Sequence, residues 1–114
     1  MGTKPEAETT VQEAIDALPE PDRDLGLRLQ ALIAEVAPHL TTRLWYGMPA
    51  WAKDGKVLCF FQPAAKFKAR YATLGFSDQA GLDDGALWPT AFALCSLEGD
   101  AGQRVRELVA RAAG

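Results

Sequence analysis

Arg43-Leu44-Trp45-Tyr46-Gly47-Met48-Pro49-Ala50-Trp51 is where this chain changes from a helical to an extended pattern. Nine residues hold three aromatics, a methionine, a glycine two places before a proline, and a single charge. Leu44 to Tyr46 reads as extended, and the ring of Pro49 pushes Met48 out of the helical region. A soluble domain rarely commits two Trp and one Tyr to so short a run unless it lies against a core or lines a groove. Downstream, Asp54-Gly55 is a turn signal between Trp51 and the apolar run Val57 to Phe61, which predicts a hairpin. Pro63 stops that strand. Lys66 to Thr73 then alternates, with Lys66, Lys68 and Arg70 on one face and Phe67, Ala69 and Tyr71 on the other, the pattern of a strand half buried and half wet. Gly75 to Gly85 reads as loop, and Ala91 to Leu97 as a last apolar strand.

Upstream the period is helical. Residues 1–9 are polar and read as a disordered terminus. Thr10 and Glu13 have the spacing of a capping box, each satisfying the other's free backbone N–H. Val11, Ala14, Ile15 and Leu18 follow at helical spacing until Pro19 and Pro21 interrupt them. From Pro21 or Asp22 a second helix carries the stripe Leu25, Leu29, Leu32, Ile33 and Val36 and ends at Pro38. At the far end, Asp100 and Gln103 suit an N-cap and its partner, and Val105, Leu108, Val109 and Ala112 form a third amphipathic helix. The order predicts an α+β fold over residues 10–114: an antiparallel sheet of about four strands, with two N-terminal helices and one C-terminal helix packed on one face.

Composition sets bounds on function. At 114 residues, with 48% apolar and 24% charged residues, the chain has the make-up of one ordinary globular domain. No apolar run is long enough to span a membrane. The N-terminus lacks the basic and apolar blocks of a secretory signal, and Cys59 and Cys95 show no pairing pattern, which points to the cytoplasm. The net charge of -3 is unevenly spread: residues 1–37 carry eight acids against three bases, and residues 38–73 carry six bases against Asp54 alone. Either the two regions attract each other across the fold, or the basic segment meets an anionic ligand or partner.

Catalytic chemistry is hard to assemble from these residues. Ser77 and Ser96 lack the Gly-flanked turn of a serine nucleophile, and the single histidine, His39, sits at a helix end where it caps carbonyls or lies exposed. Two distant Cys and one His do not make a zinc site, and no Gly-rich phosphate loop is present. An acidic pI disfavours nucleic acid as a partner. Two constellations remain. Trp45, Tyr46, Met48, Pro49 and Trp51 would wall a cleft beside Lys66, Lys68 and Arg70, suiting a small anionic or aromatic ligand; equally, the two Trp are core anchors and the basic stripe is a solvated face. Asp16 and Glu20 by the first helix, with Asp83 and Asp84 in the loop, offer carboxylates to a hard cation; equally, they are solvent-facing acids.

The run Leu44 to Trp51, followed by a turn, Gly55-Lys56-Val57-Leu58 and an apolar strand, resembles the YdhG-like family, small bacterial domains of unknown function with the core pattern Trp-x-Gly-Met-Pro-x-aromatic. The helix from Pro21 to Pro38 and the closing strand and helix are similar too, so the likeness spans nearly the whole chain. Some relatives are described as frataxin-like intracellular iron chaperones with helices on an antiparallel sheet. The resemblance therefore implies an α+β fold, and iron as cargo. Two function classes follow: a small non-enzymatic binding protein, in its iron-chaperone version or with another small ligand, and a structural or protein-interaction module that acts as a homodimer or on a partner.

Overall fold

Two helices open the fold, and a computed structural model describes it over residues 6–114, with side chains over residues 11–114. Helix α1 runs Glu6–Asp16 and buries Val11 and Ile15, one turn apart. It starts four residues before Thr10, which is therefore interior to the helix; the Thr10 side chain, and with it the expected exchange with Glu13, lies outside the described residues. Of the terminus expected to be disordered, residues 1–5 also lie outside them. Helix α2, Asp22–Val36, buries Leu25, Leu29, Leu32 and Ile33 of the stripe predicted from spacing, and Val36 at its end is partly buried against the same core. Gly26 lies on the same face, where a Cβ would meet Ile15 Cγ2 at 3.2 Å and Phe61 Cε2 at 3.3 Å. The missing side chain is what lets α1 and the sheet close on α2.

The sheet has five strands rather than about four: β1 Thr41–Trp45, β2 Met48–Lys53, β3 Lys56–Gln62, β4 Ala72–Phe76 and β5 Ala91–Leu94. They form an antiparallel meander in sequence order. The extra strand comes from the opening nonapeptide, which is itself a hairpin. Tyr46 (φ 52°) and Gly47 (φ 77°) both adopt left-handed conformations and make a two-residue turn, so Trp45 pairs with Met48 and Arg43 with Ala50. The second hairpin is the expected one, with Asp54 (φ 52°) and Gly55 (φ 82°) at its turn. A register shift between Trp51 and Ala52 accompanies burial of the consecutive residues Leu58 and Cys59, as a bulge allows.

Three expectations need correction. Lys66 to Arg70 is not strand: the amides of Lys68 and Ala69 donate to the carbonyls of Ala65 and Ala64, coiling the segment into turns before β4 begins. Phe67 and Tyr71, placed by alternation on a buried face, are exposed. Gly75 is strand, not loop, and sits opposite Phe60. Helix α3, Asp100–Ala113, is preceded by Gly99 as N-cap with no side-chain hydrogen bond, so Asp100 is the first helical residue and acts through its charge on the helix dipole.

Register assigns every strand residue to a face. Thr42, Trp51, Cys59 and Phe76 are successive neighbours across four strands. Beside them lie Phe61, Leu74 and Leu94, and this face meets α2 and α3 in one buried cluster with Val105, Val109 and Ala112. On α2 and α3, Arg106 bridges to Glu35 at 2.5 Å. Its hydrogen bond and then its charge hold the Glu35 carboxyl below its usual range. The opposite face carries Arg43, Ala50, Phe60, Gly75 and Ala91 in one row. None of these five belongs to that core cluster.

Candidate functional site

On the face away from the helices, the exposed Tyr46 joins two partly buried aromatic rings. Trp45, half-buried at the end of β1, has its ring 4.9 Å from Tyr46 at 68° and 5.1 Å from Phe60 at 47°, both favourable edge or tilted geometries. Phe60 lies over Gly75, where a Cβ would come within 2.8 Å of its Cε2 and nearer still to Cζ. Tyr46 is held out by its left-handed backbone and is 80% exposed. Met48, the cross-strand neighbour of Trp45, is buried. Arg43 shares the row of Phe60, and the strand positions of this face carry no acid.

Lys66 reaches the same corner. Its Nζ donates to the Gly47 carbonyl at 2.7 Å and sits where a Gly47 Cβ would need to be. The 64–69 turns are thus fastened to the β1–β2 turn by a side chain that alternation had assigned to a strand. Lys68 (φ 54°) is exposed, and Arg70 lies with Cζ 5.0 Å over the Tyr71 ring.

Pro49 and Trp51 are on the other side of the sheet. Both are buried, Trp51 to 2% exposure in the core cluster. The expected cleft wall is therefore split: Trp45, Tyr46 and Met48 go to the helix-free face, Pro49 and Trp51 to the packed one. Trp51 also borders a groove of about 440 Å³ between α2 and β1, shared with Ile33, Leu40 and Thr42. Phe60 belongs to neither constellation that the sequence suggests. Its signal was Gly75, an isolated glycine inside an apolar run, which marks a close approach.

The four candidate carboxylates do not converge. Asp16 accepts from Gln12 Nε2 at 3.1 Å. Glu20 is paired with Arg23 at 2.7 Å and also caps the Asp24 amide at 3.1 Å. The Asp83 carbonyl takes Arg111 at 3.0 Å, so the Asp83-Asp84 loop is tied to the C-terminal end of α3. Among the described residues, no group of three or more His, Cys, Asp or Glu side chains is placed to hold a metal ion.

No family model, curated protein or solved structure matches this chain. No helix among the described residues is long and apolar enough to cross a membrane.

The two cysteines differ sharply in setting. Cys59 is fully buried and burial pushes its thiol up to about 12, whereas Cys95 is exposed just after β5. Since the thiolate is the reactive form, an aromatic disulfide reagent is expected to titrate one thiol quickly in the folded protein and two in denaturant. Two fast thiols in the native state would show that the β2–β3 region opens readily.

Proposed function

We propose that this chain is a small non-enzymatic binding protein whose recognition surface is the helix-free sheet face around Trp45, Tyr46 and Phe60. The supporting observation is Tyr46, 80% exposed yet stacked edge-on against Trp45. A large aromatic held out into solvent at the turn bordering a sheet face is poor use of apolar area unless something covers it. Arg43 and Lys66 beside it, with no acid among the strand positions, favour an anionic or aromatic ligand. The two free thiols agree with a reducing, cytoplasmic setting.

The test is a titration of small aromatic carboxylates, followed by backbone amide signals. Saturable shifts confined to Trp45, Tyr46, Phe60 and Gly75 are expected. Trp45→Ala and Tyr46→Ala should each weaken them about tenfold while leaving the fold intact. Shifts scattered over the surface, or unaffected by either variant, would refute the small-ligand reading.

A second reading, a protein-interaction module, is favoured by how far Tyr46 stands clear of any enclosing wall. Sedimentation over a range of concentrations separates the two, because a homodimer built on this face should dissociate on Trp45→Ala. Iron carriage rests on the resemblance alone. An anaerobic ferrous titration that broadens signals at Asp16 and Glu20, or at Asp83 and Asp84, would support it, and sharp signals throughout would end it.

A further inference from the structure

A second cleft lies on the opposite, helix-packed side, where the start of α2, the 64–71 segment and the end of β5 meet. Its volume is about 370 Å³, and Leu25, Ala72 and Leu94 supply apolar wall. Asp22 closes it. This is the one charged side chain buried among the described residues, at 4% exposure.

Burying a carboxylate costs several kcal/mol unless donors or a cation compensate. Here the compensation is incomplete. Asp22 Oδ2 accepts the Ala65 N–H at 2.9 Å, which fastens the 64–69 turns to α2. Oδ1 has no hydrogen-bond donor among the described residues, and Asp22 is one of the residues that line the cleft. Among the described residues no Lys, Arg or His pairs with Asp22; the ion pairs there are Arg23–Glu20, Arg28–Asp24 and Arg106–Glu35. The α2 dipole helps at its first residue, but a helix end supplies only partial charge.

The other polar groups at the cleft define what fits. Glu20 lies at its rim with its charge already engaged by Arg23. Tyr71 offers a ring face, over which the Arg70 guanidinium is parked without reaching Asp22. Cys95 is the remaining polar group and carries no charge complement to a carboxylate.

We infer that this cleft binds a small organic ammonium ion with an apolar body. The ammonium would donate to Asp22 Oδ1, the body would rest on Leu25, Ala72 and Leu94, and the Tyr71 ring would add a cation–π contact through the face that Arg70 does not cover. An anionic ligand is excluded by the buried carboxylate. A neutral apolar one would leave it uncompensated. None of these residues belongs to the Trp45 face, so the two proposals stand or fall separately.

Phenethylamine and its neutral analogue phenylethanol are suitable probes, followed by amide signals of the whole chain. Saturable shifts at Asp22, Leu25, Ala65, Tyr71 and Leu94 are expected with the amine and not with the alcohol. Asp22→Asn keeps an acceptor for the Ala65 amide, so it should fold and weaken the amine about tenfold or more. Tyr71→Ala, at an exposed position, should weaken it several-fold with no loss of folding. Arg70→Ala should leave binding unchanged or tighten it. Equal shifts from amine and alcohol, or none from either, would overturn the proposal. So would saturable binding in Arg70→Ala only, which would make Arg70 the carboxylate's own counter-ion in solution.

Discussion

Trp51→Ala is expected to destabilise the domain by about 3–5 kcal/mol, a loss read directly from urea denaturation. A domain of this size has about 5–15 kcal/mol in total, so the variant should be near the edge of folding at room temperature. The reasoning runs through register. Trp51 pairs with Thr42 on one side and Cys59 on the other, and all three face the helices. Its ring is in the cluster that includes Ile33 and Leu58, so truncation opens a cavity between rigid elements that cannot readily collapse. Trp45→Ala removes an equally large ring from the opposite face, where it is half-buried and bounded by Tyr46 and Phe60. That loss should be less than half as great. If the two variants cost the same, or if Trp51→Ala leaves the urea midpoint where it was, the division of the nonapeptide between two faces is wrong.

That division is also where reading from sequence stopped short. Trp45 and Trp51 are six residues apart, which on an unbroken strand places them on one face. The two-residue turn at Tyr46-Gly47 makes residues three apart cross-strand neighbours, so Trp45 joins Met48 and Trp51 falls to the other side. Nothing local announces this turn strongly, because Tyr46 takes a left-handed conformation that a side chain normally resists. By contrast, Asp54-Gly55 has the residues such a turn favours, and the stripe on α2 repeats at a period only a helix satisfies; both were legible. Lys66 to Tyr71 misled for the opposite reason. Its strict alternation imitates a strand, while the decisive interactions are backbone bonds to Ala64 and Ala65 and side-chain bonds from Lys66 to Gly47 and to Asp22 from Ala65. Asp22 itself looked like one acid among eight in the first 37 residues. Only the packing of a distant turn against it shows that it is buried.

Gly75→Ala is the second large effect, expected to cost about 1–3 kcal/mol through overpacking. Most glycine-to-alanine changes in a strand should help, since glycine there costs about 0.5–1 kcal/mol relative to alanine. At Gly75 the sign is reversed by one neighbour: the new methyl would occupy the space of the Phe60 ring edge. The contact is with a side chain on an uncovered face, so the ring can be driven off rather than the backbone bent. Phe60→Ala tests this directly. In that background Gly75→Ala should become neutral or stabilising, and the difference between the two backgrounds is the coupling of the ring to the glycine. Equal destabilisation with and without the ring would mean that the strand backbone, not Phe60, excludes a side chain. The same cycle bears on recognition. Phe60 supports Trp45, with ring centres 5.1 Å apart, so displacing it from Gly75 should loosen the aromatic group without touching Tyr46. Gly75→Ala is therefore expected to weaken ligand binding at the Trp45 face, and a variant that loses stability but binds normally would detach Phe60 from that surface.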